Sequence, residues 1–168
     1  MKVLCVLLVL LLFSGCAVRE TFETVSDWYY EPVISASAIQ VSLPGDAAVL
    51  ASMDDSGSIY LCEGYTLCLQ TFSSGDLDKT LRTVTGFGAD RLQLIRTEQA
   101  GLKRYDFVWA AAGENGDQLC RGAILDDGNF HYTLSVMSDA DKAGDFGEIW
   151  DGIFDSFSKK KPETIELT

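Results

Sequence analysis

The stretch that decides the fold is Arg104–Val136, RYDFVWAAAGENGDQLCRGAILDDGNFHYTLSV. Aromatic residues occupy every second position from Tyr105 to Trp109, and apolar residues do so from Phe130 to Val136. A period of two residues is typical of β-strands. Asn115-Gly116 and Asp127-Gly128 separate these parts, and both dipeptides accept the positive φ angles of tight hairpin turns. The pattern predicts three antiparallel strands in a meander.

Further strand signals lie upstream of this stretch. The segments Ala38–Leu43, Val49–Met53, Ile59–Cys62 and Tyr65–Phe72 are apolar or alternating, and residues typical of turns separate them. We therefore expect the meander to belong to a larger, mainly antiparallel sheet.

Two segments have helical rather than strand spacing. Leu77, Leu81 and Val84 predict a short helix that begins after Asp76 and ends at Gly86. Near the end of the chain, apolar residues recur at i, i+3, i+4, i+7, i+8 and i+11, which predicts an amphipathic helix packed on the sheet. These residues are Phe146, Ile149, Trp150, Ile153, Phe154 and Phe157.

The ends of the second helix are also predicted. Ser138 followed by Asp141 is typical of a helix-start cap. The basic run Lys159–Lys161 followed by Pro162 is expected to end the helix, with cations near its negative end.

These elements together predict an α+β fold with a mainly antiparallel sheet, one short helix and a C-terminal amphipathic helix. The segments VSLPGDA, GDLDKTL, AAGENGDQ, LDDGNFHYTLSV and FGEIWDGIFDSFS occur in this order. In this order and character the chain resembles the PsbP-like fold, an α/β/α sandwich found in an extrinsic photosystem subunit and in many small bacterial lipoproteins. The resemblance covers about residues 38–158. It implies the fold alone, since no metal or photosystem site motif is matched.

The N-terminal residues have the character of an export signal. Lys2 precedes the apolar run Val3–Phe13. That run is too short to span a membrane, which takes roughly 20 apolar residues, but it suits a cleaved signal peptide. The following FSGC resembles the lipobox of bacterial lipoproteins, although Phe13 stands where an aliphatic residue is usual. The resemblance implies cleavage between Gly15 and Cys16 and a diacylglycerol on Cys16.

Two alternatives to lipid attachment remain open. Gly15-Cys16-Ala17 also fits ordinary signal peptidase, which would release a secreted protein. The second alternative is that Cys16 has no role, like Cys5 in the same segment.

The predicted organisation has four parts. Residues 1–15 form the signal peptide, 16–37 a tether or covering segment, 38–158 one α+β domain, and 159–168 a basic and then frayed tail. Three aromatic residues in the tether are expected to pack on the domain or to form an exposed binding patch. They are Trp28, Tyr29 and Tyr30.

The charge of the chain limits its partners. The formal net charge is −12 at pH 7, which repels nucleic acid and anionic lipid headgroups. We therefore predict no nucleic-acid partner, while a basic protein partner is compatible with this charge.

The sequence contains few residues that could carry out catalysis or bind metal. His131 is its single histidine, which excludes zinc sites built on two or three histidines. It lies near Asp126 and Asp127, so a Ser–His–Asp unit could form across strands, but no GxSxG motif accompanies it. We interpret His131 as a structural or surface histidine and predict no catalytic residue, metal or cofactor.

An acidic segment, Asp139–Trp150, resembles a calcium loop only in part. Ala143 and Trp150 stand where such a loop needs oxygen ligands, so the sequence predicts no calcium site.

A disulfide between Cys62 and Cys68 depends on the register of the hairpin around Gly64. A loop of residues 64–66 would place the two thiols opposite each other, whereas a loop of residues 64–65 would place them on opposite faces. The alternative is that these cysteines and Cys120 are buried free thiols.

We therefore predict a non-catalytic binding or assembly module on the extracytoplasmic face of the cell membrane. A lipid on Cys16 would hold it there, and its partner would be a protein of the cell envelope. The alternatives are an envelope spacer without a ligand and an unrecognised hydrolytic enzyme centred on His131.

Overall fold

Seven antiparallel strands form the central sheet of the computed structural model, which describes residues 35–53, 56–113 and 116–160. A separate two-stranded ribbon joins the beginning and the end of the described chain. The strands are β1 (Ile39–Gln40), β2 (Ala48–Ser52), β3 (Gly57–Cys62), β4 (Tyr65–Ser73), β5 (Ile95–Gln99), β6 (Leu102–Gly113), β7 (Gly116–Asp126), β8 (Phe130–Asp139) and β9 (Ser158–Lys159). The helices are α1 (Leu77–Thr85) and α2 (Gly147–Ser156), with short 3-10 turns at Ala89–Arg91 and Ala143–Phe146.

The order of strands in the sheet is β2-β3-β4-β8-β7-β6-β5. The predicted meander is confirmed as β6, β7 and β8, with Phe107 opposite Gly122 and Ile124 opposite Thr133. The remaining strands extend the sheet on both sides, so β2 and β5 are its edges.

The two helices cover opposite faces of this sheet. On one face Leu81 of α1 packs against Phe107, Trp109 and Ile124. On the other face Trp150, Ile153 and Phe154 of α2 pack against apolar residues of β4, β7 and β8. The predicted α+β class and the α/β/α layering implied by the PsbP-like resemblance are both confirmed.

The short helix α1 begins and ends where the sequence predicts. The Asp76 carboxylate accepts a hydrogen bond from the Lys79 N–H at 3.2 Å. Gly86 ends the helix in the left-handed region at φ 80°, a conformation that costs glycine little.

The predicted start and end of α2 are wrong. Ser138 lies within β8, and its hydroxyl donates to the Gly64 carbonyl at 2.9 Å instead of capping a helix. The helix ends at Ser156, and Lys159 belongs to β9, which pairs with β1. The alternating pattern of β8 continues past Ser138, so strand pairing takes precedence over the capping signal.

Candidate functional site

Several residues singled out by the sequence lie outside the described residues. They are Gly15, Cys16, Trp28, Tyr29 and Tyr30. His131, Cys62 and Cys68 are described and can be located.

His131 is buried between β8 and α1. It lies on the strand face opposite the α2 core, and α1 covers that face, so the side chain is only 2% exposed. Its Nδ1 atom is 2.8 Å from the Thr80 hydroxyl, and its Nε2 atom is 3.4 Å from the Ser74 hydroxyl. Asp126 approaches the same Nε2 atom at 3.8 Å.

This arrangement differs from that of a Ser–His–Asp triad. A triad has its serine on one ring nitrogen and its carboxylate on the other, so that the imidazole can take a proton from the serine. Here Ser74 and Asp126 are both on the Nε2 side. The Asp126 carboxylate also accepts hydrogen bonds from the Gly128 N–H at 2.8 Å and from the Ser74 hydroxyl at 3.3 Å.

Burial also favours an uncharged imidazole. It lowers the pKa of His131, while the nearby carboxylates of Asp126 and Asp127 act in the opposite direction. The cluster of Ser74, Thr80, Asp126 and His131 therefore serves as a buried polar link between α1 and the β7–β8 hairpin, in agreement with a structural histidine.

The three described cysteines are free thiols. The loop between β3 and β4 is Glu63-Gly64, which lies one residue earlier than the predicted loop of residues 64–65. As a result, Cys62 lies opposite Tyr65 and Cys68 lies opposite Ile59. The side chains of Cys62 and Cys68 therefore point to opposite faces of the sheet, and no disulfide joins them in this structure. Burial raises the pKa of all three thiols, that of Cys120 to about 11.

The loop between β3 and β4 contributes to a small cavity that the sequence did not reveal. It has a volume of about 400 Å³, and we call it the acidic–aromatic pocket. Its lining includes Asp46, Glu63, Tyr65, Lys142, Asp145 and Phe146. These residues come from three separate segments of the chain, which is why no local motif marks them.

A second concave surface lies between Ser35–Leu43 and strands β3 and β4. It is an open groove of about 840 Å³ with apolar walls that include Val41, Tyr60 and Leu69. Among its lining residues the ionisable ones are Tyr60 and Lys160, so it presents no set of converging charged groups.

The edge strand β2 is an unusual feature of the surface. All five of its residues, AVLAS, are exposed, and none is charged. It pairs with β3 on one side and with no described strand on the other. The opposite edge, β5, carries Arg96 and Glu98, which form an ion pair at 2.7 Å.

Two negative findings concern the described residues. No helix among them is long and apolar enough to cross a membrane. No group of three His, Cys, Asp or Glu side chains within the same ranges could hold a metal ion.

The fold is that of the PsbP-like α/β/α sandwiches. The solution structure of cyanobacterial PsbP (CyanoP) from Synechocystis matches with a TM-score of 0.52 and 12% identity, over 76% of this chain and 96% of that chain. At this identity the likeness shows the fold alone.

Two other solved structures are similar with lower scores. The Ran-binding protein Mog1p of Saccharomyces cerevisiae matches with a TM-score of 0.49 and 10% identity, over 73% of this chain and 90% of that chain. LpqN of Mycobacterium tuberculosis, involved in cell envelope biogenesis, matches with a TM-score of 0.48 and 12% identity, over 79% of this chain and 88% of that chain. No family model matches the chain, and no curated protein is similar to it in sequence.

Proposed function

We propose that this protein is a lipid-anchored, non-catalytic module on the extracytoplasmic face of the cell membrane, and that it binds an extended segment of a partner protein. The segment would add to the sheet as a further strand beside β2. The observation that carries this proposal is the exposed, uncharged edge of β2.

An edge strand presents backbone N–H and C=O groups without partners, and proteins usually protect such edges with charged side chains. β5 is protected in this way, whereas β2 exposes Val49 and Leu50. A bulge between Val49 and Ala51 bends β2 but leaves both of its ends paired with β3. The edge is therefore open to strand addition, in which the backbone supplies affinity and the side chains supply selectivity.

The charges around β2 indicate the chemistry of the partner. Asp46 precedes the strand and Asp54-Asp55 follow it in the sequence, while the chain as a whole carries a net charge of −12. A segment with an apolar centre and basic residues at its ends would be complementary to this edge.

The geometry gives less support to the alternative functions. A hydrolytic enzyme centred on His131 would need the serine and the carboxylate on different ring nitrogens, and both lie on the Nε2 side. A spacer without a ligand would have no need of an edge strand whose exposed residues are all uncharged.

The proposed anchor is tested by the intact mass of the protein purified from its own membranes in mild detergent. We expect a chain that begins at Cys16 and carries diacylglycerol, as the resemblance of FSGC to a lipobox implies. A chain without lipid that begins at Val18 would overturn the anchor and indicate a secreted protein.

The proposed binding mode is tested with random peptides displayed on phage and selected on the full-length lipidated protein. Selected peptides should bind Val49→Lys about tenfold more weakly, because a lysine on an edge strand opposes pairing. Ile95→Lys is the matched control on β5, since Ile95 and Val49 are 68% and 65% exposed.

Equal binding to wild type and Val49→Lys would contradict strand addition at β2. Failure to select any peptide would favour the spacer instead.

A further inference from the structure

We propose that the acidic–aromatic pocket binds the cationic side chain, a lysine or an arginine, of the segment that pairs with β2. This inference rests on the proposed strand addition for the identity of its ligand.

The pocket has more negative than positive charge available. The Glu63 and Asp145 side chains have no hydrogen-bond or ion-pair partner in the described part of the chain. The one lysine of the lining, Lys142, is paired with Asp139 at 2.7 Å. A bound cation would therefore meet carboxylates that are not already neutralised.

Aromatic rings form the inner wall of the pocket. The ring centres of Tyr65 and Phe146 are 5.0 Å apart, and Phe146 stacks on Trp150 at 6.1 Å. The face of an aromatic ring attracts cations, so rings beside carboxylates suit an ammonium or a guanidinium group.

A buried polar atom at this wall independently indicates a ligand. Tyr65 is 5% exposed and lines the pocket, and within the described ranges its hydroxyl has no hydrogen-bond partner other than the weak one offered by the Cys62 thiol. Burial, the neighbouring Cys62 thiol and the Asp46 carboxylate together raise the pKa of Tyr65, so Asp46 acts on this hydroxyl from the same pocket. A buried hydroxyl whose partner is only a thiol is poorly satisfied, and an N–H donor from a ligand would satisfy its oxygen.

The pocket lies at one end of the proposed binding edge. The Asp46 carboxylate accepts a hydrogen bond from the Glu63 N–H at 2.6 Å, and two residues later Ala48 begins β2 opposite Leu61. A strand advances about 3.3 Å per residue, so a segment beside β2 that continues two residues beyond Ala48 passes Asp46, and a long basic side chain from there extends towards the pocket.

A divalent metal is the competing ligand for carboxylates. The described residues contain no group of three metal-binding side chains, and the aromatic wall offers no hard oxygen ligands. The cationic side chain is therefore the better fit, and calcium serves as a comparison in the test.

The first experiment probes the pocket without any peptide. Butylammonium, its uncharged analogue N-butylacetamide, and Ca²⁺ are titrated separately into the full-length protein, and the aromatic NMR signals of Tyr65 and Phe146 are followed. Butylammonium should give saturable shifts with a dissociation constant of roughly millimolar order, as expected for so small a ligand, and the amide should give none.

Removal of the free carboxylates should weaken this binding. The double variant Glu63→Gln/Asp145→Asn should bind butylammonium about tenfold more weakly. Asp117→Asn/Asp155→Asn is the control, since it changes the net charge equally at exposed residues outside the pocket. Equal responses to the ammonium and the amide, equal loss in both double variants, or shifts with Ca²⁺ alone would overturn the inference.

The second experiment connects the pocket to the edge. In a selected peptide, replacement of its lysine or arginine by norleucine should weaken binding to the wild type about tenfold and leave binding to Glu63→Gln/Asp145→Asn unchanged. Equal weakening for both proteins would contradict a contact between that side chain and the pocket.

The two proposals can fail independently. Val49→Lys should weaken peptide binding about tenfold but leave butylammonium binding intact. If butylammonium binds and no peptide does, strand addition is wrong although the pocket selects cations. If peptides bind at β2 and butylammonium does not bind, the inference about the pocket is wrong.

Discussion

The Nδ1 atom of His131 lies 2.8 Å from the hydroxyl oxygen of Thr80, which joins strand β8 to helix α1 by a hydrogen bond between two buried side chains. Such a bond contributes little net energy while it is intact, but a buried group left without its partner is costly.

Replacement of Thr80 by valine should therefore destabilise the protein. The substitution keeps the shape and leaves the His131 nitrogen unpaired, so we expect a loss of about 1–3 kcal/mol in the free energy of unfolding, measured with urea. Thr83→Val is the control one turn away, because the Thr83 hydroxyl is exposed and donates to the Lys79 carbonyl of its own helix. A similar loss for both variants would contradict the role assigned to Thr80.

The stability should decrease on mild acidification because of His131. Burial lowers its pKa in the folded protein, so the unfolded chain, with a histidine pKa of about 6.5, takes up the proton first. Stability is then unaffected by His131 above about pH 6.5 and falls as the pH decreases from there towards the folded pKa. Urea unfolding at a series of pH values should show this slope in the wild type and a flatter one in His131→Gln. An unchanged slope in the variant would assign it to other groups.

A second decrease should occur at lower pH because of Asp127. Burial would raise the pKa of this carboxyl, but the Lys159 ammonium and the N–H groups of Phe130 and Asn129 lower it to about 2. Its stabilising contribution is complete above its unfolded pKa of about 3.9 and is lost as the pH falls from there to about 2. In Lys159→Met an NMR titration of Asp127 should show a higher pKa, whereas Lys142→Met, which removes a distant lysine, should not change it. An unaltered pKa in Lys159→Met would contradict this assignment.

Replacement of Gly64 by alanine should disturb the pocket as well as the turn. Gly64 has φ +85°, and a Cβ there would lie 2.6 Å from Cζ of Phe146. Gly101 in another hairpin has φ +78° with nothing within 4 Å of the corresponding position. Gly101→Ala should cost about 1–2 kcal/mol from backbone strain, and Gly64→Ala about 1–3 kcal/mol more from the clash, both by urea unfolding. An equal loss of unfolding free energy in the two variants would contradict a steric clash between a Cβ at residue 64 and the Phe146 ring.

The three described cysteines should all react with iodoacetamide in denaturant without prior reduction, because each is a free thiol. In the folded protein Cys68 should react first, since it is half-buried while Cys62 and Cys120 are buried. The intact mass after alkylation gives the number of thiols that have reacted. Protection of Cys62 and Cys68 in the denatured, unreduced chain would indicate a disulfide and a different hairpin register.

The sequence predicted the strands and helices in which apolar residues recur at a regular spacing. The meander and α1 have clear periods and turn or cap residues at their ends. Strand β5 was not predicted, because Arg96 and Glu98 on this edge hide any apolar alternation. The sequence also did not predict the burial of His131. This side chain is shielded from water because α1 packs on its face of the sheet, and that packing is not visible in the sequence.

The candidate sites were harder to predict than the fold. The β3–β4 loop begins one residue earlier than in either alternative, at Glu63, and the thiols of Cys62 and Cys68 lie on opposite faces, as the two-residue alternative implied. The acidic–aromatic pocket joins residues from three separate segments of the chain, so no spacing in the sequence connects Asp46 with Asp145.

The pairing of β1 with β9 has a mechanical consequence. β2 is the first strand of the seven-stranded sheet along the chain, so tension between a partner on β2 and the proposed anchor on Cys16 would pass through residues 35–52 and not through the centre of the sheet. The two residue pairs between β1 and β9 lie directly on that path and would open first under load. The domain would therefore yield by a short extension at its beginning while its core remains folded.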